Sequence, residues 1–423
     1  MRGWWLGFLV LVGLAVPAAA AAEPSPQLQQ RAEQLVRVLR AEEPPEALFA
    51  PSFLAAVPAA QVKAIGEQLR QAYGAPTGIA AIEPKGEAGA TLVIDFPKAT
   101  ARADMAIEPA APYRITGLLI GNAEAKAGTL GDLPPAFRSL PGRAGAAAAR
   151  LGVGAPVLVF GERAEEPFAI GSDFKLFILA ELVREIRAGE RRWSDVVLLG
   201  TRSLPSGILQ TWPRGAPLTL HTLAALMISR SDNSAADSLL ATLGREKVER
   251  LLPELGVRAA ARNRPLLATR EAFLLKAGDP SRLAQWRTAD EAGRRRLLAD
   301  LAGGDVAGLD LNRFMGKPLA IEAVEWFASP ADLVRTLDWI RRSGDRTALD
   351  ILAIEPGLPA AARDYAYVGY KGGSEPGVMA MAFLVRRKDG SWAAAAGAWN
   401  DPAAPVDQAQ LAALMGRLLS LIR

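Results

Sequence analysis

A serine and a lysine one helical turn apart, in Ser172-Asp173-Phe174-Lys175, are the first residues whose types and spacing could do covalent chemistry. The next residues, Leu176, Phe177, Ile178, Leu179, Ala180, Leu182, Val183 and Ile186, are apolar on nearly every face and predict a helix buried on most sides. Ser172 and Lys175 then share a face at its N-terminal end. There the lysine amine can serve the serine as base, and the helix dipole favours negative charge that develops nearby. Burial disfavours the charged ammonium, so a lowered pKa is expected for Lys175. The ordinary alternative is a serine N-cap followed by a solvated first-turn lysine.

The same chain carries two further clusters. Ser231-Asp232-Asn233 lies 59 residues after Ser172, behind the apolar run Leu223–Ile228 and ahead of Ser234-Ala235-Ala236-Asp237. Alone, it reads as a group of N-cap residues. Lys371-Gly372-Gly373-Ser374 comes directly after an expected strand, Tyr365–Tyr370, and alone reads as a turn before Val378. In this order and with these neighbours, the three clusters are poorly explained as unrelated caps and turns. His221 is the single histidine and precedes the second cluster, which argues against a Ser-His-Asp triad and against a histidine zinc site. Cysteine is absent, so there is no thiol chemistry and no disulfide framework. No metal and no cofactor are expected.

Together the clusters resemble the signature of serine β-lactamases and penicillin-binding proteins: S-x-x-K on a buried helix, S-D-N in a helical region, and K-T-G on an inner strand. The resemblance covers about residues 135–423 and includes the lead-in Met227-Ile228-Ser229-Arg230. It departs at Gly372, where the family has threonine, while Gly373 and Ser374 keep a small, donor-rich character. The resemblance implies that Ser172 is the acylated nucleophile and Lys175 its activating base or proton shuttle. Ser231 would relay a proton to the leaving nitrogen, Asn233 would hold the substrate amide and Lys175, and Lys371 would supply positive potential. Gly373 and Ser374 would contact substrate, with Ser374 binding the substrate carboxylate. The N–H of Ser172 and one from the Gly372–Gly377 edge, Ser374 among the options, would form the oxyanion hole. A class A enzyme also needs a glutamate that activates the deacylating water. Its usual pattern, glutamate and then Leu-Asn, is missing; the nearest candidate is Glu271, 40 residues beyond Ser231. The same stretch reads equally as Thr269 capping a helix with Glu271 in its first turn.

The elements that must position these residues imply an α+β chain. Its 423 residues suggest two or three domains, and a composition half hydrophobic and 22% charged fits a folded chain with a sizeable core. Arg2, the apolar stretch from Trp4 to Val16 and the run Pro17 to Ala22 read as a cleavable leader over residues 1–22, which implies a periplasmic or extracellular protein. No later segment is long and apolar enough to cross a membrane. Residues 24–125 show helical periodicity and then strands at Thr77–Ile82, Ala90–Phe96, Thr100–Ile107 and Tyr113–Ile120. They resemble the cone-shaped nuclear-transport-factor-2-like fold, with no catalytic pair of their own. The Gly/Pro/Ala-rich residues 126–149 are expected to be a linker. Residues 150–423 would form a β-lactamase/transpeptidase-like domain, an antiparallel sheet drawn from both ends of the domain around a helical subdomain. The charged stretch 276–324 is expected to be helical and to cover or widen the cleft.

Lys and Arg, 49 in all, are scattered against 45 Asp and Glu, so no nucleic-acid partner is expected. The partner implied by the resemblance is a small β-lactam, ester or peptidoglycan-like substrate. The leading expectation is a hydrolase acting on β-lactams through an acyl-serine; an esterase or D-amino-acid peptidase would use the same apparatus. The two-domain layout also resembles the β-lactamase-like protein of clavulanic acid clusters. A third reading is a binding protein without turnover, in which the N-terminal domain forms a homodimer or docks to a partner.

Overall fold

The first apolar face of the sequence, Leu28, Ala32, Leu35 and Leu39, is buried along helix α1 (Pro26–Leu39), whose first turn is capped by the Ser25 hydroxyl accepting from the Leu28 N–H at 3.3 Å. The computed structural model describes residues 23–125, 128–200, 202–204, 206–304, 306, 309–310, 313 and 316–423. The leader expected over residues 1–22 lies outside them. The chain divides into two compact units between Ala127 and Gly128.

In the first unit, α2 (Pro51–Ala56) and α3 (Ala59–Tyr73) follow α1. An antiparallel meander comes next: β1 (Gly78–Pro84), β2 (Gly89–Asp95), β3 (Ala99–Ile107) and β4 (Ile115–Ala125). Strand β3 shows the two-residue period, burying Ala99, Ala101, Ala103, Met105 and Ile107. Ala101, Ala103, Met105 and Ile107 join Leu28, Leu35, Leu92 and Ile94 in one core.

The second unit opens with α4 (Leu133–Arg138), β5 (Arg143–Leu151), β6 (Val157–Glu162) and β7 (Phe168–Ala169). Its helical middle holds α5 (Lys175–Arg187), the short pair β8 (Val196–Leu198) and β9 (Pro217–Thr219), then α6 (Leu220–Ser229), α7 (Asn233–Leu243) and α8 (Arg245–Leu251). Next come α9 (Thr269–Ala277), α10 (Pro280–Thr288), α11 (Glu291–Leu301), β10 (Phe327–Ala328), α12 (Pro330–Ser343), α13 (Arg346–Ala353) and α14 (Pro359–Ala362). The unit closes with β11 (Tyr367–Glu375), β12 (Val378–Arg386), β13 (Trp392–Asn400) and α15 (Gln408–Leu421). The antiparallel sheet runs β11-β12-β13-β5-β6, so strands from both ends of the unit meet, with β5 beside β13.

That pairing corrects the expected linker. Residues 126–149 include α4 and most of β5, an inner strand of the sheet. Ala147 and Ala149 face one core with Leu333 and Leu337 of α12. Ala144, Ala146 and Ala148 face another with Phe137 of α4 and Leu411 and Met415 of α15. A strand buried on both faces carries no apolar/polar alternation, which is why it did not read as a strand. Alanine is used because helices close on both sides of the sheet. We expect Ala148→Leu to overpack this layer and to lower stability by ~1–3 kcal/mol. In urea denaturation the midpoint should fall with an unchanged slope.

Candidate active site

Three backbone segments converge on one amine. A 3₁₀ turn, Gly171–Phe174, leads directly into α5, so Ser172 and Lys175 sit at the mouth of a helix buried on nearly every face. Trp326 fixes this turn from outside: its ring stacks on Phe174 at 4.0 Å between centroids, and its carbonyl accepts from the Ile170 N–H at 3.0 Å. Lys175 is fully buried, and its Nζ has four oxygens around it: Ser172 Oγ at 3.1 Å, Ser231 O at 2.5 Å, Ser231 Oγ at 3.1 Å and Asn233 Oδ1 at 2.7 Å. Burial pushes its pKa well below the ordinary lysine value, and the nearby charge of Lys371 acts in the same direction. A neutral amine in this position can accept a hydroxyl proton, which an ammonium cannot.

The second segment is the loop between α6 and α7. Ser231 adopts a left-handed backbone, φ 53°, unusual for a residue with a side chain. Its carbonyl is held there by Lys175 and by the Ser206 hydroxyl, which donates at 2.7 Å. Asp232, fully buried, caps α7 at Ala235 N (2.9 Å) and also accepts from Ile208 N (2.6 Å) and Leu209 N (2.9 Å). One carboxylate thereby ties the loop, the helix and residues 206–209 together. Asn233 donates from Nδ2 to Leu204 O at 3.1 Å, which leaves its Oδ1 for Lys175.

The third segment is the free edge of the sheet. Lys371-Gly372-Gly373-Ser374, which alone could read as a turn, lies on a strand as the resemblance implies, but on the edge strand β11 rather than an inner one; β11 runs to Glu375 before the tight turn Pro376-Gly377. Lys371 donates to Ser231 Oγ at 3.1 Å and to the carbonyl of Gly372. Gly373 must be a glycine: a Cβ there would lie 2.2 Å from Ile170 O and 2.5 Å from Ser172 N. Its bare backbone brings the edge against the 3₁₀ turn. Because Glu375 and Val378 close a two-residue hairpin, the N–H groups of Gly373 and Glu375 face β12 and that of Ser374 faces off the sheet. A Cβ on Gly171 would likewise lie 3.2 Å from Ser374 N, so the nitrogens of Ser172 and Ser374 both belong to the contact between the strand edge and the turn. At Gly372 a Cβ would lie 2.0 Å from the Tyr370 hydroxyl, so a side chain there would require the far end of Tyr370 to move.

The structure brings Ser172, Lys175, Ser231, Asn233 and Lys371 into one hydrogen-bonded cluster, with Gly373 and Ser374 beside it. Glu271 does not join them. It receives Arg245 at 2.6 Å and the Ala268 N–H at 2.8 Å, closing the first turn of α9, and it is not among the residues that line the cavity at Ser172. The helix-start reading therefore describes Glu271 better than the catalytic one, but the residue at the N-cap is Ala268, and the Thr269 hydroxyl meets Ser203 and the Asn233 carbonyl instead. A cavity of ~400 Å³ opens beside Ser172 and is walled by Ser374, Glu375, Lys276, Glu325 and Trp326, among others. Of residues 276–324, only Lys276 among the described ones lines it, so α10 and α11 do not roof the cleft. His221 packs edge-on to Trp193 instead, 6.2 Å between centroids. Among the described residues, no cluster of His, Cys, Asp and Glu is placed to hold a metal, and no helix is long and apolar enough to cross a membrane.

Asp173 escaped sequence reasoning because its neighbour carried the motif. It is fully buried and neither oxygen has a hydrogen-bond partner among the described residues. Burial pushes its carboxyl up to about 8, against the opposing charge of Lys371, and burial likewise brings Lys371 down to about 8 against the charge of Asp173.

The family model described as the Beta-lactamase enzyme family matches residues 136–419. Among solved structures the chain is similar to a β-lactamase from Sphaerobacter thermophilus, 20% identical with a TM-score of 0.49, over 69% of this chain and 94% of that one. It is similar to a β-lactamase from Chitinophaga pinensis, 18% identical with a TM-score of 0.47, over 69% of this chain and 97% of the other. It is also similar to PBP-A in an acyl-enzyme complex with penicillin G, 18% identical with a TM-score of 0.47, over 69% and 93% of the two chains. No curated protein matches the sequence.

Folded Asp173 keeps its proton up to about 8, whereas an unfolded aspartate releases it near ~4. The stability linked to that proton is complete below the unfolded value and is lost as pH rises through the folded one. Denaturant unfolding of the native protein across this window should show stability falling as pH rises. In Asp173→Asn that part of the fall should be absent; the same slope in both proteins would contradict the assignment.

Proposed function

This chain belongs to the β-lactamase enzyme family, and from that premise we propose that it is a serine hydrolase that opens β-lactam amides through an acyl-Ser172 intermediate. The single observation that carries the reading is the buried Lys175 amine, in hydrogen-bond contact with Ser172 Oγ, Ser231 Oγ and Asn233 Oδ1 together. Ser172 Oγ attacks the lactam carbonyl while its proton passes to the neutral Lys175. The Ser172 and Ser374 N–H groups take the developing oxyanion. As the C–N bond breaks, the proton moves from Lys175 through the Ser231 hydroxyl to the departing nitrogen. Lys371 holds positive charge against Ser231, and Asn233 keeps Lys175 in register while offering its amide side to the substrate.

A second reading rests on Gly372. The threonine hydroxyl of the family is missing, and the Tyr370 hydroxyl lies against the bare Gly372. Ser374 is then the exposed hydroxyl left to meet a substrate carboxylate, which favours esters or amides that depend less on that contact. Export through the leader at residues 1–22 is part of the same proposal, since a periplasmic or extracellular enzyme would meet either substrate class. The N-terminal unit, helices followed by a meander, is proposed to be nuclear-transport-factor-2-like and to serve in docking or dimerisation.

Intact-mass measurement after mixing with benzylpenicillin, and separately with an activated ester, tests these roles. A covalent adduct is expected with the penicillin and none in Ser172→Ala. Lys175→Met should slow acylation ~100–10,000-fold, the usual range for loss of a positioned base. Gly373→Ala should slow it ~100-fold by displacing the turn that carries Ser172. An adduct with the ester alone would favour the second reading, and none with either compound would contradict both.

A further inference from the structure

Hydrolysis of an acyl-serine needs a base for the incoming water, and Glu271 is committed to Arg245 and the start of α9. The cleft contains another carboxylate. Glu375 ends β11 on the strand face of Lys371 and Gly373, two residues beyond the glycine that touches the Ser172 turn. It lines the same cavity as Ser172 and Ser374. Lys276 of α9 reaches it at 2.5 Å and reaches Glu325, ahead of β10, at 2.7 Å. The side chains of Lys276 and Glu325 are 2% exposed and that of Glu375 is 22% exposed. All three line the cavity, and Glu375 is the most exposed member of the trio.

The other carboxylates near Ser172 are less available: Glu325 lines the same cavity but is only 2% exposed against Lys276. Asp173 is sealed inside, and Asp237 is occupied by the N–H groups of Thr269 and Arg270 at 2.7 and 2.9 Å. For Glu375, burial first and then the charge of Glu325 push the carboxyl well above the usual carboxylate range, against Lys276. Its proton affinity is thereby raised toward that of a working general base. Burial works against the charge of Lys276, but Glu325 and Glu375 outweigh it and hold the lysine as an ammonium that orients both carboxylates.

We propose that Glu375 is the general base of deacylation, taking a proton from the water that attacks the acyl-Ser172 carbonyl. The inference rests on the serine-hydrolase reading above. In the step, the water oxygen bonds to the acyl carbon and its proton goes to the Glu375 carboxylate. The ester C–O bond to Ser172 then breaks, and the proton that Glu375 took is returned to Ser172 Oγ. Glu375 is then a carboxylate again, with one water consumed and one carboxylic acid released. Lys276 and Glu325 act as positioning residues.

Rapid-quench intact-mass kinetics with benzylpenicillin separates the two half-reactions. In Glu375→Gln, acylation should stay within a few-fold of native while the adduct clears at least ~100-fold more slowly. Native deacylation should rise with pH as Glu375 ionises, and the rise should vanish in Glu375→Gln. The charged groups facing Glu375 among the described residues are Lys276 and Glu325. Glu325→Gln removes the neighbouring negative charge, so it should move the rise to lower pH with the high-pH rate retained, an effect a purely structural role would not produce. Deacylation as fast in Glu375→Gln as in native protein would overturn the proposal, as would a native adduct that does not clear. Equal loss of acylation and deacylation would also overturn it, showing a structural role. Absence of any native adduct would instead bring down the serine-hydrolase reading on which it rests.

Discussion

Everything in the second unit is arranged around keeping one lysine amine dry. Lys175 starts a helix that is buried on nearly every face, and four oxygens from three residues surround its nitrogen. A buried ammonium without a carboxylate at hydrogen-bond distance is costly, and the neutral amine relieves that cost. Asp232 and Asp237, the acidic groups whose fields oppose the shift, do not reverse it. The constraint explains why Ser231 tolerates a left-handed backbone. Its carbonyl and hydroxyl both belong to the shell of Lys175, and the loop is pinned by Asp232 through three backbone N–H groups.

The sheet supplies the other half of the site by coming unusually close. Gly373 lets the β11 backbone press against the Ser172 turn, and the nitrogens of Ser172 and Ser374 both belong to this contact. The edge strand can hold that position because the layers behind it are rigid. Strands β5 and β13 are lined with alanines on both faces, and α12 on one side and α15 on the other pack down to the sheet. Close packing of this kind transmits small displacements, so the positioning of Ser172 depends on side chains far from it. The charged trio of Lys276, Glu325 and Glu375 extends the same logic to the far wall of the cavity, where α9, the segment before β10 and the end of β11 are tied by one ammonium.

Much of this was legible in the residues themselves. Ser172 and Lys175 are one turn apart, so local geometry alone joins them, and Ser231 to Asn233 form a loop whose cap residues are self-evident. The meander of the first unit was legible because β3 is buried on one face only and alternates. Failures came where burial or distance hides the signal. Ala144 to Ala149 looked like a linker because a strand covered on both faces has no alternation to read. Lys371 to Ser374 alone could read as a turn because two glycines in a row are rare in strands, and what they meet, Ile170, Ser172 and Tyr370, lies outside the motif itself. Glu375 gave no signal, since its partners are 99 and 50 residues distant. Glu271, conspicuous in sequence, was satisfied locally by its own helix and Arg245.

The central claim is that Lys175 sheds its proton more readily than an ordinary lysine, and its ionisation can be watched directly. Protein labelled with ¹³C at the lysine Cε would be titrated by nuclear magnetic resonance, with the Lys175 signal assigned from its absence in Lys175→Arg. That signal is expected to change from ammonium to neutral amine well below the ordinary lysine value. A Lys175 resonance that stays that of an ammonium up to the ordinary lysine value of ~10.4 would contradict the claim.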